Sequence, residues 1–319
     1  MEFEIFTEKV IAAMKEYADG RGEVRLNKVM KNNSVELTGI CIFREGANIT
    51  PTVYIDDYFK RYNRGEDFDD LMNEVIDIYE KHKDTESFDL SFFKSFDTVK
   101  DRLVYKLICI EKNETLLKEI PYVPYLDMAV VFYYMLPEDS LFNASILVYN
   151  NHIKSWGVGV EEVKEAAFRN TPCLLNPRLS NMETILMEVS NKWKEEAATL
   201  GRCDEWEEKL EHSLDECTGE HIGEVPMFVL TNERKFNGAA CILYRGILKQ
   251  FSDRLNQSFF ILPSSVHEVI LVPESEVPNP TQLSVMVRDI NSTQVAADEV
   301  LSDSVYFYDY SKEELKIYA

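Results

Sequence analysis

The sequence predicts an α+β fold of mixed hairpin-and-helix layers, with two related β-β-α-containing halves as its internal design. Three observations carry this expectation. Apolar residues recur at three- and four-residue steps in some stretches and at two-residue steps in others, so helices and strands are both expected. The strand candidates come in neighbouring pairs joined by short polar turns, which favours antiparallel hairpins over a doubly wound parallel sheet. Met135-Leu136-Pro137 leads to Ile146-Leu147-Val148 and a helix at 160–169, and Ile261-Leu262-Pro263 leads to Ile270-Leu271-Val272 and a helix at 281–291. That recurrence points to a duplicated unit, although Leu-Pro ahead of an apolar strand is also a common chance pattern.

The elements follow in chain order. Phe3, Phe6, Val10, Ala13, Met14 and Tyr17 place an amphipathic helix over 2–18, stopped by Asp19-Gly20. Strands at 24–30 and 35–43 flank Asn32-Asn33-Ser34 as a hairpin, with a third at 48–54. Helices at 56–62 and 68–79 are split by Arg64-Gly65, and strands at 103–111 and 126–136 enclose a short helix at 114–119. Residues 182–200 read as a helix ended by Gly201. Beyond it come a strand at 227–231, a helix at 238–255, strands at 259–262 and 268–272, and a last strand at 304–308. The expected organisation is an N-terminal α+β region 1–120, a middle β-β-α region 121–200, an acidic helical connector 201–225 and a C-terminal α+β domain 226–319.

Composition narrows the function classes. With 319 residues, 45% hydrophobic and 12% aromatic, the chain has material for one large core or two ordinary ones. The richest apolar run, Met128 to Met135, falls far short of the roughly 20 residues that cross a bilayer. The N-terminus MEFEIFTEKV carries acids where a secretory signal carries Lys or Arg, so a cytoplasmic protein with no membrane contact is expected. Six scattered cysteines then read as reduced thiols, and Cys41, Cys109 and Cys241 as small hydrophobes. A net charge of −22 argues against binding nucleic-acid backbones, where affinity comes from Lys and Arg displacing counterions. Residues 66–89 hold ten acids against Lys81 and Lys83, and residues 202–224 hold nine against Arg202 and Lys209. Two solvated helix faces explain both stretches; an acidic mimic of nucleic acid is the sharper alternative.

No Gly-rich phosphate loop, nucleophile elbow, kinase signature or HExxH helix is present. Cys203, His212, Cys217 and His221 have zinc-ligand chemistry, but Cys203 and His212 are too far apart for the usual first ligand pair. No metal and no cofactor are therefore expected. The remaining polar constellation lies at strand ends: Asn232 and Arg234 leave one strand, Asn237 and Gly238 open a helix, and Ser264, Ser265 and His267 form the next turn. Asn237 could cap that helix while Gly238 lets an anion approach its amides. His267 and Glu268 have acid-base chemistry, but adjacent strand residues point to opposite faces, so at most one reaches a given cleft. The plainer reading is a well-capped turn around a hydrogen-bonded histidine.

Pro226 to Asn232 (PMFVLTN), Asn237-Gly238-Ala239-Ala240, Ile261 to Pro273 (ILPSSVHEVILVP) and Val300 to Asp309 (VLSDSVYFYD) carry a resemblance. In these residues, in Ala144 to Val148 and in Trp156 to Pro172, the chain is similar to an uncharacterised bacterial family. That family is a domain of unknown function met mainly in gut anaerobes, often near conjugative or other mobile elements. The likeness covers most of the chain after residue 120 and is weaker before it. It implies no activity. The function expected is thus a non-catalytic cytoplasmic interaction or accessory role with a protein partner, linked to mobile elements through the resemblance. The alternative is an enzyme or small-ligand-binding protein using the strand-end site, and a second alternative is the acidic mimic.

Overall fold

A computed structural model describes residues 2–46, 50–82, 90–137, 144–181, 227–263 and 265–318. They fall into two compact units, Met1–Ser91 and Phe92–Ala319.

In the first unit, helix α1 (Phe3–Ala18) forms because Phe6, Val10, Met14 and Ala18 line one stripe, and all four are buried. It stops where Asp19 turns left-handed and donates its N–H to the Lys15 carbonyl. Strands β1 (Glu23–Met30), β2 (Glu36–Phe43) and β3 (Thr52–Tyr54) make an antiparallel sheet in the order β1-β2-β3. Asn33 and Ser34, both at positive φ, make the turn between the first two. Helices α2 (Asp56–Asn63) and α3 (Phe68–His82) complete the unit. Ile40, Ile42 and Val53 face Phe6, Val10, Met14, Met72, Val75 and Tyr79 in one core, so the helices cover a single face of the sheet.

The second unit holds two antiparallel sheets. In the smaller, β6 (Met128–Met135) pairs with β4 (Leu103–Cys109) on one side and with β5 (Tyr122–Tyr125) and β7 (Ser145–Leu147) on the other. Helices α4 (Asn150–Trp156) and α5 (Val160–Leu174) follow, and α5 packs on β4 through the stacked rings of Phe168 and Tyr105, 4.5 Å apart. The larger sheet comprises β8 (Pro177–Asn181), β9 (Phe228–Asn232), β10 (Phe259–Pro263), β11 (Val269–Pro273), β12 (Tyr306–Asp309) and β13 (Glu314–Ile317). Its order is β13-β12-β10-β11-β9-β8. Helix α6 (Ile247–Leu255) precedes β10, and α7 (Thr281–Thr293) follows β11. One face buries Phe260, Leu262 and Val272 under Leu283 and Val287 of α7. The other buries Phe259, whose ring meets Phe251 of α6 at 4.8 Å.

The fold is α+β, and both Leu-Pro hairpins form, as β6–β7 and β10–β11. Two ladders cross the boundaries drawn from sequence: β4 joins β6, and β8 of the middle region joins β9 of the C-terminal one. The single helix expected over 238–255 is instead a 3-10 stretch, Gly238–Leu243, and then α6. Gly246 at φ +80 separates them, a conformation an α-helix does not hold. The sequence reading misses β5, β8 and β13, which are short and carry Pro or charge where strand signals are sought. Among the described residues, no helix is long and apolar enough to cross a membrane.

Candidate functional site

The polar strand ends meet in a local network. At the end of β9, Asn232 Oδ1 accepts from the Arg234 and Phe236 amides at 3.0 and 3.3 Å, and its Nδ2 donates to the Phe236 carbonyl at 2.8 Å. This self-bonded loop delivers Asn237 in the left-handed region, at φ 55, and Asn tolerates that conformation well. The Asn237 N–H then donates to His267 Nδ1 at 3.1 Å. Around His267, its N–H donates to Ser265 Oγ at 3.0 Å, and Thr231 Oγ1 donates to its carbonyl at 2.7 Å. The other ring nitrogen, Nε2, lies 3.3 Å from Glu299 Oε1.

Asn232, Asn237, Gly238, Ser265 and His267 are thus brought together, and Arg234 joins the loop through its main chain. Ser264 lies outside the described residues. No spacing in the sequence ties Glu299 to His267. It arrives because the Val266 N–H donates to the Glu299 carbonyl at 2.8 Å. Gly238 is required by packing: a β-carbon there would lie 2.6 Å from the His267 carbonyl oxygen and 2.7 Å from the Asn232 nitrogen. The amides behind it are engaged, with Ala239 N–H on the Val266 carbonyl and Ala240 N–H on that of Asn237. The opening of this 3-10 stretch therefore holds internal bonds where the sequence reading placed an anion.

Behind the network lie Cys241, which the sequence reads as a small hydrophobe, and three tyrosines that the sequence reading does not single out. Cys241 is fully buried, donates to the Thr231 carbonyl at 3.1 Å, and is pushed up to about 12 by burial. Tyr244 donates to the Leu175 carbonyl at 2.7 Å, and burial holds its hydroxyl far above the ordinary phenol value. Burial likewise pushes Tyr133 up to about 12, against the opposing pull of the Asn237 side chain and the Arg234 charge. Burial also holds the Tyr105 hydroxyl well above the ordinary phenol value. Among the described residues, the hydroxyls of Tyr105 and Tyr133 make no hydrogen bond of good geometry. All four groups stay neutral near pH 7, and neither a thiolate nor a phenolate is on offer as a nucleophile.

The amino-acid sequence matches the Family of unknown function (DUF5688) over residues 3–310. The chain belongs to that family. No curated protein and no solved structure matches it. The family description carries no activity. Among the described residues, no group of three or more His, Cys, Asp or Glu side chains could hold a metal ion. Cys203, His212, Cys217 and His221, like the acidic stretch 202–224, lie outside the described residues. Part of the other acidic stretch lies on α3, where Glu74 binds Arg61 through both carboxylate oxygens, at 2.7 and 2.8 Å.

Proposed function

We propose that this family member works by binding a protein partner and not by catalysis, as a cytoplasmic interaction or accessory protein tied to mobile-element biology. The supporting observation is the engagement of His267. A general base needs one ring nitrogen oriented by a partner and the other free to meet substrate. Here Nδ1 accepts a backbone N–H and Nε2 faces the Glu299 carboxylate, so each nitrogen already has a protein partner. The arrangement suits a clasp that fixes the 3-10 stretch against the β10–β11 turn.

The test is the tautomer. Nitrogen NMR on ring-labelled protein should find His267 protonated at Nε2 and bare at Nδ1, and His267→Ala should melt lower while His267→Gln recovers part of the loss. A ring protonated at Nδ1, or an Ala variant that melts like the parent, would return His267 to the list of catalytic candidates. A second reading, small-ligand binding, draws on the Tyr105 and Tyr133 hydroxyls, which are buried and, among the described residues, make no hydrogen bond of good geometry. A soaked crystal with density bridging Tyr133 and Asn237 would favour it.

A further inference from the structure

The first unit contains a surface unlike the rest of a chain with net charge −22. Residues 21–31 carry Arg21, Arg25, Lys28 and Lys31 against Glu23 alone. Arg21 is occupied, since its guanidinium donates to the Ala18 and Tyr17 carbonyls at the end of α1. Arg25 and Lys28 lie on β1, an eight-residue strand at the edge of its sheet, and Lys31 follows directly after its last residue. Among the described residues, nothing pairs with its outer side.

The register sorts the side chains of β1 into two rows. Val24, Leu26, Lys28 and Met30 share the face of Ile40 and Ile42, where the helices lie, yet Leu26 is 37% and Met30 63% exposed because the core ends short of the edge. Arg25, Asn27 and Lys31 share the opposite face with Phe43 and Tyr54. There Arg25 lies over the Phe43 ring at 4.5 Å, and Lys31 lies over the Tyr54 ring at 4.1 Å. The rings hold both cations in place at the edge. In the free protein Arg25 pairs with Glu23 and Lys28 with Glu36, but these are exposed pairs, which contribute little and exchange readily.

We propose that β1 accepts an extended segment of a partner protein as a fourth strand, and that this segment alternates apolar and acidic residues. Resting on the binding reading above, this adds the site and the partner's chemistry. Backbone groups on the outer side of β1 supply the strand pairing. Apolar side chains of the segment would cover Leu26 and Met30 and lengthen the core, while its carboxylates on the other face would meet Arg25 and Lys31. Single-stranded nucleic acid fits less well, because the Phe43 and Tyr54 faces on which bases would stack are occupied by cations.

The full chain should be titrated by fluorescence anisotropy with a labelled peptide of alternating Glu and Val. The controls are a peptide of the same composition with Glu and Val in separate blocks, an alternating Lys and Val peptide, and oligothymidylate. The alternating acidic peptide should bind at least about tenfold tighter than each control and slow hydrogen exchange of the β1 amides. Arg25→Glu combined with Lys31→Glu should weaken it by about tenfold, and so should Met30→Glu, all without lowering the melting temperature. Absence of binding, equal affinity for the blocked peptide, preference for oligothymidylate, or indifference to both variants would each overturn the proposal. None of these outcomes bears on the His267 tautomer, so the two readings fail separately.

Discussion

The sheet of the first unit and the larger sheet of the second use similar residues to opposite ends. In the first unit the helices cover one face, and β1 is exposed at six of its eight positions. In the second, β10 is buried at all five positions, with α7 on one face and α6 on the other. A strand buried on both faces cannot display side chains, so its polar groups have to be closed by hydrogen bonds at its ends, as Asn232, Asn237 and His267 are. A one-sided sheet leaves both a face and an edge open to a partner. The polar strand ends are thus held by internal hydrogen bonds, whereas the sheet of the first unit keeps an exposed edge strand.

The largest effect that would sharpen this contrast comes from Leu271→Asp. Leu271 is 1% exposed and sits in β11 between β9 and β10, so an unpaired carboxylate there should cost about 4 kcal/mol or more and unfold the second unit in a thermal melt. The half-buried neighbour Ile270 should tolerate Asp better. Next is a pair of glycine substitutions. Gly238→Ala would push a methyl into two backbone atoms that cannot yield, costing about 3 kcal/mol. Gly39→Ala meets mainly the Thr52 methyl, which a side-chain rotation can move, and should cost about 1 kcal/mol. Equal losses in chemical denaturation would break the distinction between a closed and an open sheet.

A smaller effect depends on pH. Cys241 titrates at about 12 in the fold against an ordinary 9.0, so between those values the folded chain keeps a proton that the unfolded chain releases. Stability should then fall as pH rises from about 9 towards 12, by up to about 1.4 kcal/mol per pH unit for such a group. Cys241→Ala should make that decline shallower; an unchanged slope would count against a buried neutral thiol. The smallest effect is Arg25→Gln, which should leave the melting temperature unchanged because, among the described residues, the Arg25 side chain is held by an exposed carboxylate and a ring. A clear loss of stability would mean that the open face is part of the structure and not a surface kept for a partner.

By itself, the sequence determined the class and most of the elements, because periodicity is local. The stripe of Phe6, Val10 and Met14, the alternation through Ile40 and Ile42, and the two Leu-Pro hairpins are all written within a few residues of one another. Asn232, Asn237, Gly238, Ser265 and His267 could also be read as neighbours, since loops at the ends of adjacent strands converge. Their role could not. Whether His267 has a free nitrogen depends on Glu299, and whether Gly238 leaves room depends on Thr231 and the His267 carbonyl, and contacts between distant segments leave no periodic trace. The exposure of β1 is of the same kind. Its residues alternate like those of any half-buried strand, and only the order β1-β2-β3, which makes it an edge, leaves Leu26, Met30, Arg25 and Lys28 exposed.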